Sequence, residues 1–580
     1  MKKKRTLSLS RVEMQHLLSV ARGEKKADVL FKNCTVIDLV NGGEIKGHVA
    51  LAGDWIAGIG DYQGELEIDC TGLTMVPGFI DSHLHIESSL MHPFEFEAQT
   101  LPLGTTTAMC DPHEITNVLG AKGFEWFLRC SEKMHQNLFV QVSSCVPALP
   151  GFETNLGSFT NEQMVSYKDH SNVIGLAEMM NFPGVINGSP EVLEKLESFE
   201  EMNLDGHSPL LKGKDLNAYR AAGIQNCHET VTLTEAQEKL QVGMAVMLRE
   251  GSVAKNLMNL APVVQDFNST QCLLCTDDRN PFEINEEGHI NFMVKKLIQD
   301  QHMPLHLAYR LSSYSPAKHF GLKRLGLIAP GYRADLILLS DAKKVQIDSV
   351  YIAGKKVSEL KLAENSHQKF QKSLPPIENT MNRSKLSPTD FYYDFVLGTY
   401  HVIEIVPNEI VTNHLKIKYD GKKFESSDLK KISVIERYGH NLKPSIGLVK
   451  GFGFSEGAIA SSVAHDSHNI IVVGSSDEEM ALAANTLITS GGGFVIVRQG
   501  KVLSHLELPI AGLMSSETAD TLTSKLKHLK LTQKEMGITL HEPFLQMAFV
   551  ALPVIPSLKI TDKGLVDVST FKFIDLKEKS

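Results

Sequence analysis

Between residues 76 and 328, short apolar runs alternate with helical stretches, and this alternation is the strongest constraint on the fold. The runs are GFIDSHLHI (78–86), GTTTAMCDP (104–112), LFVQVSSCVP (138–147), VIGLAEMM (173–180), IQNCHET (224–230), AVMLRE (245–250) and QCLLCTDD (271–278). Each has the length of a strand rather than a helix. Strands that alternate with helices form a parallel sheet, because parallel neighbours need a long crossover. The span is close to the roughly 250 residues of an eight-fold barrel. The predicted class is therefore α/β, a (β/α)8 TIM-like barrel over 76–328. Most runs end in polar or ionisable residues, and in such barrels the C-terminal strand ends carry the chemistry.

The flanks differ from the centre. Residues 27–75 and 329–362 read as short strands with Gly-rich breaks, which predicts one small β domain built from both ends of the barrel. Residues 1–26 read as a basic segment with a polar amphipathic helix. They lack the apolar h-region of a secretory signal. Residues 363–390 are polar and Pro-containing and read as a linker. Residues 391–580 carry their own strands, helices and Gly clusters and read as a C-terminal α/β domain. Within it, Gly491–Gly493 reads as a turn, since no phosphate-loop Lys-Ser/Thr follows.

Composition narrows the partners. With 58 Lys+Arg against 68 Asp+Glu the formal charge is −10, which argues against a nucleic-acid or membrane-surface footprint. No run reaches the roughly 20 apolar residues of a membrane span. Eight scattered cysteines make no disulfide framework in a chain this long, so a reducing cytoplasm is the expected location.

The sharpest chemical feature is Asp81-Ser82-His83-Leu84-His85. Alternate strand residues share a face, so two imidazoles project together at a strand end, where they can share a metal. Further candidate ligands stand at later strand ends. Glu178 closes VIGLAEMM, and a carboxylate there can give one oxygen to each of two cations. His207 lies in DGHS, His228 in NCHE, and Asp277 and Asp278 end QCLLCTDD. Each alone reads equally well as a solvated loop residue. Four histidines and two carboxylates at five strand ends read together as a two-metal site. Divalent metal can lower the pKa of bound water to about 7, and an adjacent Asp can then shuttle the proton. Nitrogen and oxygen ligands suit Mn, Fe or Zn without choosing among them.

Three other motifs compete. His85-Ile86-Glu87 with Cys272 and Cys275 mimics the His-x-Glu…Cys-x-x-Cys pattern of zinc nucleobase deaminases. No Pro precedes Cys272, and residues three apart on a strand face opposite ways, so these cysteines read as core. Asp111-Pro112-His113-Glu114 ends another strand and reads either as part of the site or as a structural turn. His465-Asp466-Ser467-His468 reads as a second site, a closure of the first, or a hydrogen-bonded turn.

VPGFIDSHLHIESS, LPLGTTTAMCDPHEITNVLG, GLAEMMNFPGV, LREGSVAKNL, CTDD, LIAPGYRADLILL and the C-terminal GAIASSVAHDSHNIIVVG together resemble the bacterial adenine deaminase family of the amidohydrolase superfamily. The resemblance runs from about residue 27 to the C-terminus, and DPHEITNVLG and VAHDSHNIIVVG are its most specific stretches. It implies hydrolysis of adenine to hypoxanthine and ammonia in purine salvage, with two divalent metal ions, manganese first and iron or zinc as alternatives. It implies His83, His85, Glu178, His207, His228 and Asp277 as metal ligands, with Asp277, Glu178 and Asp111 catalytic. Glu114 also matches a family position, with no role attached. Many superfamily relatives bridge their metals with a carboxylated Lys, whereas the matching strand here offers Glu178. The acid that protonates N1 is left open between Glu178 and another group. A homodimer suits the architecture. Other readings are a different cyclic amidohydrolase and a catalytically silent purine-binding homologue.

Overall fold

The computed structural model describes residues 7–156, 159–364, 366, 370, 379–407, 409–426 and 428–579. Ser10 starts the first helix, Arg11–Ala21, with a reciprocal cap: its hydroxyl accepts from Glu13 N at 3.2 Å and Glu13 accepts from Ser10 N at 2.6 Å. Leu17 and Val20 on one face bury against the neighbouring strands. The Lys-rich start at residues 1–6, and most of 365–378 within the expected linker, lie outside the described residues.

Strands β1 (Ala27–Asp38), β2 (Gly43–Ala52), β3 (Trp55–Gly60), β4 (Gly64–Asp69) and β5 (Thr74–Pro77) precede the parallel unit. That unit consists of β6 (Phe79–Leu84), β7 (Thr105–Cys110), β8 (Asn137–Val142), β9 (Val173–Met179), β10 (Asn203–Gly206), β11 (Asn226–Cys227), β12 (Ala245–Arg249) and β13 (Cys272–Cys275). After it come β14 (Leu336–Asp341), β15 (Gln346–Ile352) and β16 (Lys355–Lys356). One mixed sheet runs β16-β15-β14-β5-β1-β2-β3, with β4 on β1, so strands from both sides of the parallel unit share it. The junction is antiparallel, Leu336 opposite Pro77 and Leu338 opposite Met75.

The parallel strands run in two stretches, β10-β9-β8-β7-β6 and β11-β12-β13. Backbone bonds link the stretches on both sides. Asp277 N donates to His83 O at 3.0 Å, and Gln225 N donates to Leu204 O at 3.0 Å. The sheet therefore curls. Nearly every residue of these strands is buried, which is why their sequences read as continuous apolar runs rather than alternating ones. β10 was not among the seven apolar runs, because its four residues, NLDG, carry too little apolar signal. The run at 224–230 contracts to the two residues of β11, and the run at 138–147 leaves the sheet after Val142.

The C-terminal part builds a second eight-stranded sheet from β17 (Gly398–Ile405), β18 (Thr412–Tyr419), β19 (Leu429–Ile435), β20 (Ser445–Lys450), β21 (Ala458–Ser461), β22 (Ile470–Gly474), β23 (Gly493–Arg498) and β24 (Lys501–Glu507). The helix Asp477–Ser490 covers one face, capped by Ser476 and ended by Gly491 at φ +84°, a left-handed geometry that suits glycine. A small antiparallel sheet follows: β25 (Leu558–Thr561), β26 (Gly564–Asp567) and β27 (Lys572–Ile574).

The two halves share one core. Phe94, Phe96, Trp126 and Phe127 from the parallel unit cluster with Val402, Ile432, Phe494 and Leu522 from the C-terminal part. Polar ties reinforce the seam, with Ala519 N donating to Glu95 at 2.8 Å and Asn469 Nδ2 to Thr154 O at 2.8 Å. The loops carrying the site thus lie at a seam tied to the C-terminal part. Among the described residues, no helix is long and apolar enough to cross a membrane.

Candidate active site

β6 buries Asp81 and His83, and the chain stays extended to His85 (φ −110°, ψ 108°), so both imidazoles reach one point. Their Nε2 atoms lie 3.2 Å apart. His85 Nε2 is 3.1 Å from Asp277 Oδ1 and 3.3 Å from Glu178 Oε1. His83 Nε2 is 3.7 Å from each of the same oxygens. The other Glu178 oxygen, Oε2, lies 2.6 Å from His207 Nδ1 and 3.2 Å from His228 Nε2. Ligands at 2.0–2.2 Å from one ion in a tetrahedron stand roughly 3.3–3.6 Å apart. The first set, at 3.1–3.7 Å, spans that spacing. The second, at 2.6 and 3.2 Å, is tighter, with His207 and Glu178 at hydrogen-bond distance. Glu178 presents one oxygen to each set, and the donors are of the kind that could hold divalent cations.

All six residues predicted as ligands thus come together, and all are buried. Burial pushes the Glu178 carboxyl up, but His228, His207 and His85 outweigh it and hold the group well below the usual range. Burial likewise raises Asp277, and Arg249 and His85 reverse the effect. Asp277 adopts φ +55°, a costly conformation for a non-glycine residue that turns its carboxylate back over the strand ends.

A second layer orients the first. Arg249, the last residue of β12, donates from Nη1 to Asp277 Oδ2 at 2.6 Å and from Nη2 to Glu229 Oε2 at 2.8 Å, and Nη1 also meets Glu229 Oε1. That fork leaves Asp277 Oδ1 to face the histidines. His85 Nδ1 sits 2.9 Å from Asp111 O, a contact that leaves Nε2 facing the cluster. Tyr219 OH donates to Met179 O at 2.7 Å and accepts from His207 N at 3.0 Å, tying the β9 end to the His207 loop.

Asp111 lies beside the centre with its carboxylate already engaged. Ser143 donates to Oδ1 at 2.7 Å, and His113 Nδ1 lies 3.1 Å from Oδ2. His113 in turn is 3.6 Å from Glu178 Oε1. The C-terminal HDSH segment reaches this corner: His465 Nδ1 is 3.2 Å from Glu114 Oε1, and His113 Nε2 is 3.8 Å from Asp466 Oδ1. Of the readings open for HDSH, closure of the first site is the one this geometry supports. Burial, with Glu87 and Asp278 nearby, pushes Glu114 well above the usual carboxyl range.

Cys272 packs with Leu248 and Leu274, while Cys275 packs with Ile80 and Met109 on the other face, so the pair shares no ion. All eight cysteines are buried free thiols. Sequence reasoning did not select Arg249 or Glu229, and it left His113 in a motif open between site and structural turn. Each sits at or just past a strand end, which is the signal that would have found them.

The comparisons agree with this geometry. Residues 74–357 match the amidohydrolase family, and residues 409–572 match the adenine deaminase C-terminal domain. A protein of Bdellovibrio bacteriovorus named adenine deaminase is 58% identical over 564 residues, covering 97% of this chain and 96% of the relative. Proteins of the same name from Shewanella halifaxensis and Escherichia coli O1:K1 / APEC are each 52% identical, covering 99% and 98% of this chain and 98% of each relative. With end-to-end relatives at this identity, the chain belongs to the adenine deaminase family of amidohydrolases.

Proposed function

We propose that this chain hydrolyses adenine to hypoxanthine and ammonia, using a pair of divalent cations held by His83, His85, Glu178, His207, His228 and Asp277. The observation that carries the reading is the split Glu178 carboxylate, one oxygen toward each histidine pair, in a chain whose curated relatives bear this name. The curled parallel unit reads as a (β/α)8 barrel, since eight strands are linked on both sides by backbone bonds. The division into 27–75 with 329–362, 76–328, the linker 363–390 and 391–580 follows the same reading. Manganese is the first choice of metal, with iron or zinc as alternatives. A cytoplasmic homodimer serving purine salvage completes the picture.

Cations bound there supply Lewis-acid activation of water near neutral pH. Asp277 would take one proton from water as oxygen adds to C6 and return it to the amine as the C6–N6 bond breaks, while the water's second proton, released as the C6 carbonyl forms, would replace the one N1 gains. Arg249 keeps this carboxylate aimed at the reacting oxygen. N1 must gain a proton as C6 becomes tetrahedral. Glu178 has both oxygens committed to histidines. Glu114, whose carboxyl burial pushes well above the usual range and whose Oε1 lies 3.2 Å from His465 Nδ1, is the better-suited acid. Asp111 acts through His113, holding its ring against the centre.

The test is ammonia release from adenine by the purified protein, as isolated and after manganese loading. Hypoxanthine with stoichiometric ammonia supports the reading. A folded, metal-loaded protein that releases none overturns the substrate assignment.

A further inference from the structure

The two halves of the cluster are built differently. His83 and His85 stand at one strand end, and backbone bonds to the neighbouring strand end fix them: Asp277 N donates to His83 O at 3.0 Å, and His85 N to Asp277 O at 3.3 Å. His207 and His228 stand on separate loops after β10 and β11, which belong to different stretches of the sheet. Gln225 N reaches Leu204 O, and Asn226 Oδ1 accepts from Gly206 N at 3.2 Å. Among the described residues, however, no backbone bond joins 206–211 to 226–231. The separation of these two imidazoles is therefore set by side chains.

A buried ion pair supplies most of those ties. Glu235 and Lys239 lie one turn apart on the helix Leu233–Gln241, with Lys239 Nζ 2.8 Å from Glu235 Oε1. Both side chains are buried. Lys239 Nζ donates to Ser208 O at 2.9 Å, next to His207. It also meets Cys227 Sγ and Thr230 Oγ1, each at 3.2 Å, on either side of His228. Glu235 repeats the pattern, accepting from Leu210 N at 2.8 Å and from Val231 N at 3.0 Å. Cys227 Sγ accepts in turn from Ser208 N at 3.4 Å. Each charged partner thus holds both loops. Desolvation offsets much of the attraction in a buried pair, so its net stabilisation is small. What these bonds do provide is a fixed spacing between the loops.

We propose that Glu235 and Lys239 are positioning residues for the cation at His207 and His228: they set the affinity of that ion, while the ion at His83 and His85 is left to the strand ladder. The inference rests on the two-cation reading above. Neither side chain is a ligand. They act because the donors must close on an ion to about 2.0–2.2 Å, so a loop that drifts loses affinity. Releasing Ser208 and Leu210 on one side, and Cys227, Thr230 and Val231 on the other, loosens one half of the centre only.

The test titrates the metal-free full chain with manganese, by equilibrium dialysis and elemental analysis, in wild type, Lys239→Met and a double variant that joins Lys239→Met to Glu235→Leu. The double variant replaces the pair with apolar volume and leaves no unpaired charge, which guards against a single variant that fails to fold. Wild type is expected to take up two ions per chain. Each variant is expected to keep one ion at wild-type affinity and to bind the other roughly 10–100-fold more weakly, the usual effect of disturbing a residue behind a ligand. Ammonia release at limiting manganese falls with it, excess manganese restores kcat, and the adenine KM stays put. In a His207→Ala background, Lys239→Met is expected to add little further loss of affinity, whereas general destabilisation adds in full. Wild-type uptake in both variants, equal weakening of both ions, or full additivity with His207→Ala overturns the role of the pair alone. Wild type that takes up fewer than two ions overturns the two-cation reading, and the role of the pair falls with it.

Discussion

Arg249→Met removes the guanidinium shared by Glu229 and Asp277 and keeps most of the side-chain volume. All three groups are at least 95% buried, so water cannot replace the lost charge. Breaking a buried pair by removing one partner costs about 3–5 kcal/mol, and here two carboxylates are left facing the same gap. The pH dependence has a definite sign. In the wild-type protein, burial raises Asp277 but Arg249 and His85 hold it below its ordinary value of 3.8. That depressed value contributes stability above the unfolded value, which is lost as pH falls through the folded one. In the variant the contribution vanishes and the carboxyl rises. The deficit is therefore full at neutral pH, and the wild-type advantage disappears only as pH falls below 3.8 toward the depressed folded value. Urea unfolding of the metal-free proteins, followed by fluorescence of the buried Trp55 and Trp126, reads this directly. Metal-loaded Arg249→Met is expected to lose roughly 10–100-fold in kcat/KM, the usual effect of disturbing a residue behind a ligand. Arg249→Lys, with no fork, is expected to fall between. Equal urea midpoints at neutral pH, together with unchanged kcat/KM, refute the claim that Arg249 aims Asp277.

The remaining predictions are briefer. Glu178→Gln removes the charge that faces both histidine pairs, and elemental analysis is expected to show fewer than two metal ions per chain with turnover lost; full metal content with normal turnover refutes the bridging role. His83→Ala and Asp277→Asn are each expected to abolish ammonia release while circular dichroism keeps the wild-type shape. Activity retained in either removes that residue from the mechanism. Burial, with Asp466 and Asp562 nearby, lifts Glu153 to about 8, so it folds as the neutral acid. Stability from this group is complete below its unfolded value of 4.5 and is lost as pH rises through 8. Glu153→Gln is expected to flatten that decline, and parallel urea midpoint profiles for the two proteins from pH 5 to about 9 count against it.

The six clustered residues were legible in the sequence because each stands at a strand end, after an apolar run or, for His207, after a Gly, where burial of the strand leaves only the end free to meet a ligand. His83 and His85 followed from alternation alone. β10 escaped because Asn203, Asp205 and Gly206 dilute a strand of four residues, and its burial comes from neighbours rather than from its own apolar content. Arg249 read as an ordinary strand terminus, since nothing local announces that its partners lie 20 positions back and 28 positions on. The approach of His465 to the centre depends on how two distant sheets pack, and no spacing within its segment encodes it.

That approach also sets an order of assembly. Every residue of the split-carboxylate cluster lies between 83 and 277, whereas the segment that closes it begins at His465. On a ribosome the cluster emerges first, and domains fold in the order in which they emerge. The histidine pairs can therefore form while their open side still faces solvent, so cations enter a wide funnel rather than a closed vault. Closing the vault is left to chain made later.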